Sequence, residues 1–226
     1  MNRRTMMIGA ASAAIVAGLG GWIGLNGRGA GTPPNPLGAA NAADDVAQID
    51  TSGIQEMTLG DPNAPVTVIE YASFTCPHCA NFHKSVFKQF KAEYVDTGKV
   101  HFIYRDVYFD RFGLWAAMVA RCGDGMRFFG IADLLYEQQK DWVGGGDPVT
   151  IANALRKIGV IAGLDEATVT QCLEDGDKAQ ALVTWYQKNG EADDITGTPT
   201  LIVDGEKQSD LSFDALKTLI DGKLEG

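Results

Sequence analysis

Residues 66–94 constrain the fold of this chain more than any other stretch. Val66-Thr67-Val68-Ile69-Glu70-Tyr71 is short, rich in β-branched residues and preceded by Pro65, so it reads as a buried strand. Only Ala72 to Thr75 separate it from Cys76-Pro77-His78-Cys79, where Pro77 suits the first turn of a helix. That helix is expected to run to about Tyr94, with Phe82, Val86, Phe87 and Phe90 as its apolar stripe, and to stop at Gly98. Val100 to Val107 reads as a second strand.

The pattern then changes. Phe112 to Cys122, Met126 to Gln139, Pro148 to Ile161, Glu166 to Leu173 and Lys178 to Asn189 all have helical periodicity, punctuated by Gly123, Gly144-Gly145-Gly146, Gly163 and Gly176. Asp147 before Pro148 is a strong helix start. Thr200-Leu201-Ile202-Val203 returns to strand, and Asp204-Gly205 signals a hairpin turn. Ser212 caps a last helix whose apolar face is Phe213, Leu216, Leu219 and Ile220. The expected fold is α/β: a central mixed sheet flanked by helices and split by an all-helical insertion at about 109–190.

A chain of 226 residues with 45% apolar content can bury one sizeable core. Its formal charge of −10 argues against a nucleic-acid partner, because phosphate binding needs clustered Lys and Arg. Arg3 and Arg4 precede an uncharged run from Met6 to Leu25, which reads as an export signal at 1–26 of the secretory or twin-arginine kind. Ala40-Asn41-Ala42 offers a small-x-small cleavage site, but the apolar run is long enough to remain as a membrane anchor. Residues 27–50, rich in Gly, Pro, Ala and Asn, read as a flexible linker, and 51–226 as the folded body. That body is expected outside the cytoplasm, where disulfides persist.

Four cysteines divide into a close pair and two that stand alone. A Cys-x-x-Cys pair at a strand-to-helix junction can form a strained, reducible disulfide. The first sulfur lies at the helix N-terminus, where unpaired N–H groups and the dipole favour a thiolate, and His78 is expected to add a donor or positive charge. Stabilising the reduced pair makes it an oxidant of other thiols. Haem attachment would need His directly after the second cysteine, where Ala80 stands. Zinc could recruit Cys76, Cys79 and His83, but a fourth ligand with suitable spacing is missing, and no metal site is expected. A purely structural bridge is disfavoured, because so short a loop restrains the unfolded chain little.

Cys122 and Cys172 fall at helix ends. In an oxidising compartment they are expected to bond to each other, with two buried free thiols as the alternative. Glu70 lies in an apolar strand six residues before Cys76. It is either a strand-edge carboxylate facing water or a buried acid that moves protons for Cys79. Gly197-Thr198-Pro199-Thr200 opens the later strand and, beside a redox pair, points to a cis Thr198–Pro199 bond that exposes backbone groups to an incoming peptide. Trp115, Trp142, Trp185, Phe128 and Phe129 read as helical core. His83 and His101 read as structural or exposed rather than catalytic.

Together, Val66 to Tyr71, Phe74-Thr75-Cys76-Pro77-His78-Cys79, the helical insertion and Gly197-Thr198-Pro199-Thr200 resemble the DsbA family of thioredoxin-fold thiol–disulfide oxidoreductases. The resemblance covers about Met57 to Leu224. It implies that Cys76 is the nucleophile, Cys79 the resolving thiol, Glu70 the buried acid and Pro199 the cis-proline. Thr198 departs from the Val of the best-known oxidases and is similar to the disulfide isomerases. The expected activity is a periplasmic dithiol oxidase that acts on reduced, folding secreted proteins, without a cofactor. The resemblance implies reoxidation by a quinone-linked membrane protein. An isomerase or reductase of the same fold is the alternative, although the segment before the fold is short for the dimerisation region isomerases carry, so a monomer is expected. Outside the enzymes, the same cysteines could serve a metal-binding or chaperone module.

Overall fold

The computed structural model describes residues 49–225 other than Asp124. The expected signal and most of the linker lie outside the described residues. Among those described, no helix is long and apolar enough to cross a membrane.

The sheet has five strands in the order β1-β3-β2-β4-β5: β1 (Met57–Leu59), β2 (Val66–Ala72), β3 (Val100–Asp106), β4 (Thr200–Val203) and β5 (Glu206–Lys207). β2 is central. It pairs parallel with β3 and antiparallel with β4, and β1 and β5 close the edges antiparallel. The parallel pair requires a crossover, which the helix after Cys76 supplies. Val68, Val100, Phe102, Leu201 and Val203 are fully buried, and they form the core that this helix covers.

That helix, α1, is continuous over 77–95 but not uniform. α-Helical Pro77–Phe82 is followed by a π-helical stretch His83–Phe87, a short α-helical Lys88–Phe90 and a second π-helical stretch Lys91–Val95. The extent matches the sequence pattern, and the two wide turns are additional. They let Phe82, Phe87, Phe90 and Tyr94 all reach the core, although their spacing does not follow one 3.6-residue stripe. Gly98 ends the helix with φ +74°, donating its N–H to the Val95 carbonyl. Gly60 is required twice, by φ +86° and because a Cβ there would come within 2.4 Å of the Val100 carbonyl oxygen.

Between β3 and β4 lies the helical insertion: α2 (Arg111–Ala120), α3 (Phe128–Glu137), α4 (Gln139–Val143), α5 (Pro148–Ile161), α6 (Glu166–Glu174) and α7 (Gly176–Ala192). α8 (Phe213–Glu225) completes the chain, with the Ser212 hydroxyl accepting from the Ala215 N–H. Asp110, Asp147, Asp165 and Asp175 cap four of these helices through their carboxylates. The architecture is the mixed, helix-flanked sheet of the thioredoxin fold with helices inserted before β4. Two details differ from the sequence pattern. β1 has only three residues, too few for a period to register, and the single helix expected over Met126 to Gln139 is broken at Gln138 into α3 and α4. Phe128 and Trp142 are fully buried, and Trp115, Trp185 and Phe129 pack partly buried against the core.

Cys122, just past α2, and Cys172 in α6 form a disulfide across 50 residues of sequence. Closing a loop of that length removes about 4 kcal/mol of unfolded-chain entropy. Replacing both cysteines by Ala should lower the unfolding free energy by about that amount, read from denaturant melts, with the Cys76–Cys79 chemistry intact.

Candidate active site

Cys76 is the N-cap of α1, with extended backbone, φ −79° and ψ 118°. Its N–H donates to the Ser73 carbonyl, and its own carbonyl accepts the helix bond from Ala80. The turn that presents it is clamped from the insertion. The buried Gln139 side-chain amide donates to the carbonyls of Phe74 (2.8 Å) and Cys76 (2.9 Å). Thr75 Oγ1 donates to the Asp110 carboxylate at 2.9 Å, and Asp110 also caps α2. Gly113 lets α2 approach, because a Cβ there would lie 3.3 Å from the hydroxyls of both Ser73 and Thr75.

Both thiols of the pair are free in this structure. Cys76 is 9% exposed and Cys79 fully buried, so only the first can meet a partner molecule. The Cys76 thiol is lowered from the ordinary 9.0 to about 5. The main cause is the hydrogen bond from the Cys79 thiol; Thr198 and the backbone N–H groups of Cys79 and His78 add to it, against the cost of partial burial. Cys79 is pushed strongly upward, first by burial, then by its bond to Cys76 and by the Glu70 charge. The helix N-terminus thus acts as expected, but His78 does so through its backbone: the peptide N–H favours the thiolate, while the side chain, like Pro77, is exposed.

The Thr198–Pro199 bond is cis, and the Thr198 carbonyl accepts from Cys76 Sγ at 3.5 Å. Thr198 Oγ1 is buried without a hydrogen-bond partner among the described residues, and the Thr198 side chain favours the ionised form of both sulfurs.

Glu70 is fully buried in the central strand, opposite Tyr104 on β3 and Leu201 on β4. The water-facing edge position is thereby excluded, because both neighbours of β2 are paired. His83 answers the burial: its Nε2 lies 3.0 Å and 3.2 Å from the two carboxylate oxygens, and the ring is only 4% exposed. Tyr136 stacks on that ring with centroids 4.2 Å apart, and its hydroxyl lies 2.6 Å from that of Tyr104. Burial drives both phenols well above their usual pKa. Cys79, Glu70 and His83 therefore form one buried polar cluster, joined to Cys76 through the Cys79 thiol.

The structure brings Cys76, Cys79, Glu70, Thr198 and Pro199 together and leaves the Cys122–Cys172 bridge apart, in the insertion. The sequence offered His83 only as a ligand of the disfavoured zinc site and otherwise as a structural or exposed residue, and it gave Gln139 no part. His83 carried a usable signal, since it follows Cys79 by four residues and must share its helix face. Gln139 carried none, because its target is a pair of backbone carbonyls 63 and 65 residues away.

A family model described as Thioredoxin matches residues 52–222. A relative from Rickettsia felis, provisionally named a protein-disulfide oxidoreductase, is 32% identical over 171 residues, which are 75% of this chain and 60% of the relative. The chain therefore spans about three fifths of the length of that relative. Disulfide bond formation protein D of Bacillus subtilis is 28% identical over 181 residues, covering 74% of this chain and 77% of its own. Among solved structures, alpha-DsbA1 of Wolbachia pipientis superposes with a TM-score of 0.67 at 28% identity, over 74% of this chain and 90% of the other.

Two outcomes follow from the site. In the reduced protein, iodoacetamide should label Cys76 alone, with a rate that rises through a midpoint near pH 5, followed by mass mapping. Gln139→Leu removes the donor to the Phe74 carbonyl and should cost about 1–3 kcal/mol in a denaturant melt.

Proposed function

We propose that this chain, which belongs to the thioredoxin family and to its DsbA-like group, is a protein thiol–disulfide oxidoreductase working as a dithiol oxidase. The observation that carries this reading is the asymmetry of the pair: a Cys76 thiol lowered to about 5 above a Cys79 thiol raised by burial. A substrate thiolate attacks Cys76 Sγ of the oxidised pair. The Cys76–Cys79 bond breaks, a mixed disulfide with Cys76 forms, and Cys79 leaves with the electron pair. Glu70 gives Cys79 the proton its dry position demands. A second substrate thiolate then attacks the substrate sulfur of the mixed disulfide and releases Cys76 as its stabilised thiolate. The substrate leaves oxidised and the enzyme pair is reduced by two electrons.

The proposed substrates are reduced secreted proteins, approached through the exposed edge of Cys76 and the cis Thr198–Pro199 loop. Export by the signal at 1–26, action as a monomer and reoxidation by a quinone-linked membrane protein complete this reading. Thr198 favours a second reading, isomerase or reductase, because its hydroxyl supports the ionised form of either sulfur.

The direction is tested by comparing denaturant melts of the two redox forms, with the Cys122–Cys172 bridge kept intact. Cys76 has a depressed pKa only when folded, so its thiolate stabilises the folded reduced protein. That contribution is complete above the unfolded thiol pKa of about 8.5, and it is lost as pH falls through the folded value of about 5. An oxidase should therefore be more stable with the pair reduced at neutral pH, with the difference fading toward pH 5. A more stable oxidised form would instead identify a reductase.

A further inference from the structure

A buried acid that serves Cys79 must itself regain protons, and the described residues beside Glu70 are themselves buried. The strand places it between β3 and β4 at zero exposure. Its side-chain hydrogen-bond partner is His83, at 3.0 Å and 3.2 Å. An imidazole has two nitrogens that can exchange a proton, and here only one is engaged. His83 Nδ1 is buried and, among the described residues, makes no hydrogen bond.

The groups facing His83 come from four elements. Glu70 lies on β2, Tyr104 on β3, Tyr136 and Asp133 on α3, and Cys79 one turn earlier on α1. The two tyrosines keep their protons, since burial raises both phenols well above the usual range. Asp133 differs from the others in being exposed. Its carboxyl is raised by partial burial, and the charge of nearby His83 leads the influences that oppose the rise. Lys88 and Lys91, also on α1, act on Asp133 in the same sense. From Glu70 at zero exposure, exposure rises to 4% at the hydrogen-bonded His83, and the exposed Asp133 carboxyl feels the charge of that ring.

We propose that His83 is the proton port of the redox centre. It passes protons between the Glu70 carboxyl, through Nε2, and the Asp133 side of the protein, so that Cys79 gains or loses its proton without water reaching the sulfurs. This rests on the reading of Glu70 as the acid that serves Cys79. In the oxidising direction the Cys76–Cys79 bond breaks, Cys79 takes the electron pair and then the Glu70 proton. His83 reprotonates Glu70 and is itself reprotonated from the Asp133 side. The reverse reaction runs the same path outward. His83 touches neither sulfur in this scheme; it acts through Glu70 as a positioning residue that also relays.

The test uses single-turnover reduction of the oxidised full chain by reduced glutathione at constant ionic strength, with imidazole buffer varied. Glu70→Gln, His83→Gln and His83→Ala are compared with the parent. His83→Gln can still donate an N–H to Glu70 but cannot shuttle a proton. The parent should be indifferent to buffer concentration. His83→Gln should slow about a hundredfold, the lower part of the range for a positioned acid–base group. His83→Ala should slow similarly and recover as imidazole enters the vacated space, while the Cys76 alkylation midpoint stays unchanged in both. A slow Glu70→Gln beside a His83→Gln at parental rate would overturn the port and leave the Glu70 reading standing. Parental rates in both would overturn the Glu70 reading itself. A slow His83→Ala that ignores imidazole would reduce His83 to packing and overturn the proposal. Should His83→Ala fail to fold, the rate of His83→Gln decides alone.

Discussion

A carboxyl group at the centre of a β-sheet is the constraint around which this structure is arranged. Removing Glu70 from water is costly unless its oxygens find a donor close by. The donor is His83, in the second turn of α1. The same helix sets Cys79 within reach of the Glu70 charge and Cys76 at the helix end, where 9% of the residue stays exposed. Fold and chemistry are therefore one geometrical problem. The parallel β2–β3 pair demands a crossover helix, and that helix begins where the reactive sulfur must sit.

The insertion contributes rigidity rather than reacting groups. Gln139 and Asp110, from α4 and the start of α2, hold three successive residues of the loop before α1: the carbonyls of Phe74 and Cys76 and the hydroxyl of Thr75. A turn so fixed keeps the N–H groups of His78 and Cys79 aimed at the Cys76 sulfur whether or not that sulfur is charged. Pre-set donors of this kind stabilise charge without reorganising when it develops.

Much of this was legible in the residues. β2, β3 and β4 declare themselves through β-branched runs, Pro77 and Asp147-Pro148 mark helix starts, and the Cys-x-x-Cys spacing at a strand-to-helix junction locates the chemistry. The rest depends on contacts with no local signature. β1 owes its existence to three paired positions on β3, and the π-helical turns of α1 to the aromatic side chains that must all reach one core. Glu70 was ambiguous because strand sequence does not reveal strand order, and the central position of β2 resolves it. His78 looked like the histidine that matters because it lies between the cysteines. His83, one turn further on, is the one the fold turns inward.

The two cysteine pairs give the chain two widely separated responses to reductant. Cys122–Cys172 closes a loop of 50 residues, while the other pair spans a single turn whose folded surroundings favour the open form. On the oxidase reading, a thiol pool mild enough to cycle the second is expected to leave the first shut. On that reading, electrons are exchanged at one end of α1 while a bond of the same kind holds the helical lobe closed, so that turnover leaves the clamped turn in place.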